Sequence, residues 1–201
     1  MASALRGAFR GKGLKISYGT ITGLSFFLFM RDSVVEVTNV HGPSMAPSFS
    51  PTFHETGRMD CVLFNRLHDP RFLRRGDVVS LWAPHKPEQL SIKRVVGLPG
   101  DMVVVGRRPK GRAGGEDQGV NWGKVRVPWN HVWIEGDNWR ESVDSTTFGP
   151  VPMGLINGRA EYVVWPPSRW GTASNADSDF KTRSKAIPPK SRPTIPAEFL
   201  D

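Results

Sequence analysis

Ser44 stands in His41-Gly42-Pro43-Ser44-Met45-Ala46-Pro47, a turn marked by glycine and proline that follows a β-forming run. A serine hydroxyl is a poor nucleophile until a base takes its proton. A candidate base lies in Ser91-Ile92-Lys93-Arg94-Val95-Val96-Gly97-Leu98-Pro99-Gly100-Asp101. As a strand, this segment puts Ser91, Lys93 and Val95 on one face and Ile92, Arg94 and Val96 on the other, so one of the two adjacent cations points toward the core. Lysine serves as a base only when neutral, and an unperturbed pKa near 10.4 leaves roughly one molecule in 2,500 neutral at pH 7. Burial beside Ile92, Val95 and Val96 could bring that value toward about 7–8, at a cost of about 4 kcal/mol to the fold. The third block, from Gly136-Asp137-Asn138 through Ser142-Val143-Asp144-Ser145 to Val151, packs polar turn-formers over a stretch too long for a simple hairpin.

Taken singly, these blocks have ordinary readings: a surface turn for Ser44 and a solvated strand face for Lys93. A histidine-based site would pair Ser44 with His41 or His131 and an aspartate such as Asp137. None of His41, His54, His68, His85 and His131 sits in a recognisable triad context. Cys61, the sole cysteine, lies in an apolar run and reads as a packing residue. It also excludes an intrachain disulfide framework or a multi-cysteine zinc site. No metal cluster or cofactor fingerprint is visible, and a serine–lysine reaction requires neither.

The elements that must position these residues are short and β-forming. Candidate strands cover 34–40, 61–64, 78–82, 90–96, 102–105, 124–127, 131–135 and 158–164, separated by signals such as Arg75-Gly76-Asp77 and Leu98-Pro99-Gly100-Asp101. With 17 prolines and 21 glycines in 201 residues, the chain reads as a mainly β, barrel-like or sandwich domain over 38–170. Gly-rich residues 106–123 read as an exposed loop, and 171–201, rich in Ser, Asp, Lys and Pro, as a disordered tail. The seven tryptophans (82, 122, 129, 133, 139, 165 and 170) read mostly as core or strand-face residues.

The net charge is +8, of which +5 falls in residues 1–31 and only +1 in 32–167. A nucleic-acid-binding domain would carry its positive charge on the folded part, so that class is set aside. Behind the basic segment 1–15, the charge-free run 16–30 would span about 22 Å as a helix, against about 30 Å of hydrocarbon. Extended through Val34 and Val35 and helped by snorkelling of Lys15 and Arg31, a single membrane anchor over 16–37 is expected. The positive-inside rule then leaves 1–15 and the body on opposite sides.

In their order and spacing, the three blocks resemble the type I signal peptidases, a family of serine–lysine proteases. Ser-Met-x-Pro, then Lys-Arg-Val-Val-Gly-x-Pro-Gly-Asp, then Gly-Asp-Asn and Ser-x-Asp-Ser carry the likeness over roughly Val34–Trp165. The Asp-Ser-x-x-Phe-Gly-Pro-Val ending and the short body look most like the mitochondrial inner membrane branch of the second-subunit type. The resemblance implies Ser44 as nucleophile, Lys93 as general base and Ser142 as the hydroxyl that orients the lysine. It also implies Pro43 and Met45 at the substrate, Gly136, Asp137 and Asn138 as the supporting turn, and Asp144 as its brace. Two positions depart from the family pattern. Gly42 stands where bacterial members often have an oxyanion-hole serine. Thr146 stands where many have an arginine that pairs the aspartate, leaving Arg140 or a backbone amide as partners for Asp144.

The implied substrates are precursor proteins with cleavable sorting peptides, cut near small residues in the mitochondrial intermembrane space. The implied setting is the inner membrane, with a related catalytic subunit in a heteromeric complex. A reading of another class is a membrane-tethered β domain without catalysis, acting as a stabilising partner subunit.

Overall fold

The structure, a computed structural model, describes residues 18–30, 33–106, 123–173 and 182–189. Strands β1 (Val35–Asn39), β2 (Cys61–Asn65), β3 (Val78–Ala83) and β4 (Lys86–Gly97) come first, followed by β5 (Met102–Val104), β6 (Lys124–Arg126) and β7 (His131–Glu135). They continue with β8 (Val151–Pro152), β9 (Ile156–Trp165), β10 (Gly171–Thr172) and β11 (Lys185–Ile187). The larger sheet runs β1-β2-β9-β3-β4-β7-β8, with β10 on β9, and a three-stranded sheet runs β11-β5-β6. Every ladder is antiparallel. The mainly β expectation therefore holds.

Period-two alternation explains how the core divides. Val62 and Phe64 of β2 join Val40, Met45, Phe49 and Val163 in one apolar cluster. Val79, Leu81, Val95, Val132 and Ile134 form a second on the other face of β3, β4 and β7. A third, of Val96, Val103, Val127 and Trp133, fills the space between β4, β7 and the small sheet. Both faces of the C-terminal half of β4 are thus covered, which decides the environment of Lys93 and Arg94. Trp133 is fully buried, Trp82 and Trp165 stand exposed on β3 and β9, and Trp170 is exposed just before β10.

Two boundaries differ from those read in the sequence. Helix α1 covers 18–30, and its apolar side chains, among them Ile21, Leu24, Phe26 and Phe27, are exposed. No helix among the described residues is long and apolar enough to cross a membrane. The anchor expected over 16–37 stops earlier, because Val35–Asn39 pairs with β2. Val34 is the switch point: its N–H donates to Met30 O, while its carbonyl accepts from Arg66 N–H. The tail expected over 171–201 is ordered in part. Gly171–Thr172 adds to β9, and Lys185–Ile187 adds to β5, with Ala186 packed on the third cluster. The expected loop lies mostly outside the described residues, and Val105 N–H donates to Gly123 O across its base.

Candidate active site

The Ser44 turn is pinned at both ends. Val40 N–H donates to Asp60 O, Ser50 Oγ donates to Val40 O, and Ser50 N–H reaches Asp60 Oδ2 at 2.7 Å. Arg169 holds the same carboxylate at 3.2 Å and also donates to Ser48 O at 2.6 Å. Asp60, Ser50 and Arg169 were not legible as site-building residues, since their common target is the backbone of a loop. Inside the turn, Ala46 N–H donates to Pro43 O and Phe49 N–H to Met45 O. Gly42 adopts φ +83, the left-handed region that suits glycine. Met45, expected at the substrate, is fully buried with Val40, Phe49 and Phe64, so its side chain anchors the turn to the core. Pro43 is half-buried at the start of the turn.

Lys93 comes from the covered half of β4 and is 5% exposed. Its Nζ donates to Ser44 Oγ at 3.2 Å and to Ile92 O at 2.9 Å. Burial pulls the ammonium down from 10.5 to about 8, against the opposing pull of the Asp144 and Asp137 charges. A serine hydroxyl and an amine therefore stand within hydrogen-bond reach, with the amine close enough to neutrality to accept a proton, an arrangement suited to a nucleophile and its base.

Arg94, on the opposite face, is also buried. Its guanidinium grips Asp137 through two hydrogen bonds of 2.8 and 2.6 Å and donates to Gly76 O. Sequence alternation placed one of these two cations inward; the second sheet buries the other as well. Asp137 is thus committed to Arg94, which removes it as the third member of a histidine triad.

The turn after β7 joins the site to this ion pair. Asn138 N–H donates to Ser44 O at 3.0 Å. Gly136 N–H donates to Asp144 Oδ2, and Asp144 Oδ1 accepts from both the N–H and the hydroxyl of Thr146. The partner of Asp144 is therefore two backbone amides and a threonine hydroxyl, with Arg140 instead lying over the Trp139 ring. Thr146 fills the role the sequence left vacant. Asp144 also caps α2, a short helix at Ser145–Phe148.

Gly136 has a steric reason to be glycine: a Cβ there would run into Ser142 Oγ and come within 2.6 Å of Ser44 O. Ser142 is buried, and its hydroxyl has no hydrogen-bond partner among the described residues; the hydrogen bond expected from it to Lys93 is not formed. Among the described residues, no group of three His, Cys, Asp or Glu side chains could hold a metal ion.

Residues 15–110 and 106–165 match the family model described as signal peptidase, peptidase S26. The chain belongs to the S26 signal peptidases. It is 38% identical over 165 residues to mitochondrial inner membrane protease subunit 2 of Danio rerio, covering 82% of this chain and 77% of that one. The subunit 2 of Saccharomyces cerevisiae is also 38% identical, over 76% of this chain and 80% of its own length. Subunit 1 of Mus musculus matches at 34%, over 82% of this chain and 87% of its own. The resemblance read from the three motifs to this S26 branch therefore holds, and the chain is a member of a protease family.

Proposed function

We propose that the chain is a serine endopeptidase that removes sorting peptides from precursor proteins at the mitochondrial inner membrane, with Ser44 as nucleophile and Lys93 as general base. The 3.2 Å contact between Lys93 Nζ and Ser44 Oγ, made by an amine that burial holds near neutrality, carries this reading.

Ser44 Oγ attacks the scissile carbonyl carbon while neutral Lys93 takes its proton. The tetrahedral oxyanion meets the Ser44 backbone N–H, one donor of a site in which each such donor is worth about 3–4 kcal/mol. Lysinium then protonates the leaving amine, giving an acyl-enzyme. Water attacks the ester with Lys93 again as base, and the proton returns to Ser44 as the acid product departs. Ser142, whose buried hydroxyl lacks a partner, is the group left to orient the Lys93 amine through the cycle. Asp137, Asn138 and Asp144 hold the framework, and Gly136 lets Ser142 and the Ser44 carbonyl approach.

An extended precursor segment docks by adding backbone hydrogen bonds to a sheet edge, with alternate side chains meeting the surface. The exposed apolar surface of α1 supports membrane attachment, with the body on the intermembrane-space side. The names of the relatives support a place beside a related catalytic subunit.

The test incubates the detergent-solubilised full chain with extended peptides bearing small residues at alternate positions. The parent is compared with Ser44→Ala and Lys93→Ala, and products are sequenced. Cleavage by the parent and loss of at least about 1,000-fold in either variant is expected. Undiminished cleavage by Lys93→Ala would overturn the mechanism, and absence of cleavage by the parent would favour the non-catalytic partner reading.

A further inference from the structure

Glu135 is the last residue of β7 and immediately precedes the turn that carries Gly136, Asp137 and Asn138. The mechanism above gives it no task, yet it is 2% exposed. A carboxyl group in such a place must be satisfied or it costs several kcal/mol. Its two oxygens are separately held. Trp133 Nε1–H donates to Oε1 at 2.7 Å, and the main-chain N–H of Ser184 donates to Oε2 at 3.2 Å.

The second donor comes from the C-terminal segment, 49 positions along the chain. That segment is registered by its own ladder, with Lys185, Ala186 and Ile187 opposite Val104, Val103 and Met102. It is also fitted at its entry. Gly106, just beyond β5, lies so close to Arg183 that an added Cβ would come within 2.6 Å of the Arg183 carbonyl oxygen.

We propose that β11 is a clamp on the active site, its Ser184 N–H and the Trp133 indole fixing Glu135 as a positioning residue for the Gly136–Asn138 turn. The proposal rests on the Ser44–Lys93 reading for its catalytic consequence. The chain of contacts is short. Glu135 pairs with Arg94 across the β4–β7 ladder, Asp137 is held by Arg94, and Asn138 N–H holds the Ser44 carbonyl. With the clamp gone, the Glu135 carboxyl loses a donor in a dry site and must turn toward water, dragging the end of β7 with it. Displacement of about 1 Å in a catalytic constellation lowers turnover by about 100-fold. Glu135 meets no substrate, so its effect falls on kcat and not on KM.

The test uses the full chain in detergent and three variants: Glu135→Ala, its conservative counterpart Glu135→Gln, and Gly106→Val, which unseats β11 without touching Glu135. Turnover of an extended peptide is expressed per active site titrated with a serine-directed acylating reagent, which discounts misfolded molecules. Amide hydrogen exchange over 136–138 is followed in parallel by mass spectrometry. The expected result is a fall in kcat of at least about 10-fold in Glu135→Ala and Gly106→Val, with KM within about 2-fold and faster exchange at the turn. The conservative Glu135→Gln, which keeps an acceptor oxygen, should recover part of the kcat. Normal kcat per titrated site or unchanged exchange in both point variants would overturn the clamp. If the parent itself cleaves nothing, the peptidase reading falls, while the exchange measurement still decides whether β11 fixes the turn.

Discussion

Replacing Lys93 with methionine removes a charge that the fold keeps dry, and the structure sets the size of the effect. The drop from 10.5 to about 8 corresponds to roughly 3 kcal/mol at about 1.36 kcal/mol per pKa unit, all of it destabilising at neutral pH. Loss of the Nζ bonds to Ser44 Oγ and Ile92 O offsets about 1 kcal/mol for each. Lys93→Met should therefore be more stable than the parent by about 1 kcal/mol at pH 7. A lysine whose folded pKa lies below its unfolded one leaves the native state with fewer bound protons than the unfolded chain between about 8 and 10.5. Parental stability consequently rises with pH across that window, and the variant should lose its advantage by roughly 2 kcal/mol between pH 7 and pH 10. Urea unfolding followed by tryptophan fluorescence at the two pH values measures both quantities. A parent–variant difference that stays constant with pH would refute the reasoning, because a solvated ammonium behaves in that way.

The pH dependence of cleavage follows from the same group with the opposite consequence. With Lys93 as the proposed base, only its neutral form can accept the serine proton, so kcat/KM should climb about tenfold from pH 7 to pH 9 and level off above, with its midpoint near 8. Gly136→Ala forces its Cβ against Ser142 and the Ser44 carbonyl. It should cost about 1–3 kcal/mol in a denaturant titration and about 100-fold in kcat. Thr146→Val removes the hydroxyl that donates to Asp144 Oδ1 at 2.8 Å. The urea midpoint should report a loss of about 1.5–3 kcal/mol, the range for a bond to a charged acceptor.

Most of the strand framework was legible because it rests on local pattern. The run His131–Glu135 is β7, and the Val- and Ile-rich segments around 62, 79, 95 and 160 lie within strands near their expected limits. Lys86–Gln89 escaped because its side chains are polar and exposed; it is a strand through its backbone pairing with β3. Strand β11 escaped for a related reason: three residues among prolines and lysines carry no periodicity, and the edge of β5 recruits them.

Lys93 and Ser44 were legible as types in a recognisable order, but the depth of burial of Lys93 was not. Alternation assigns residues to faces without saying whether both faces are covered; here the small sheet covers the Arg94 side, while Lys93 shares the face of Val95, which is buried in the second cluster. Met45 was assigned to substrate although its side chain fills the core. Asp60, Arg169 and Glu135 were missed because each acts on backbone groups or through neighbours distant in sequence.

The measurement closest to the central claim is titration of the Lys93 amine itself. In full chain labelled with 13C at lysine Cε, the Lys93 signal, assigned by its absence in Lys93→Met, should titrate with a midpoint near 8, apart from the exposed lysines. A midpoint at the ordinary lysine value of about 10.4 would leave Ser44 without a base and contradict the account.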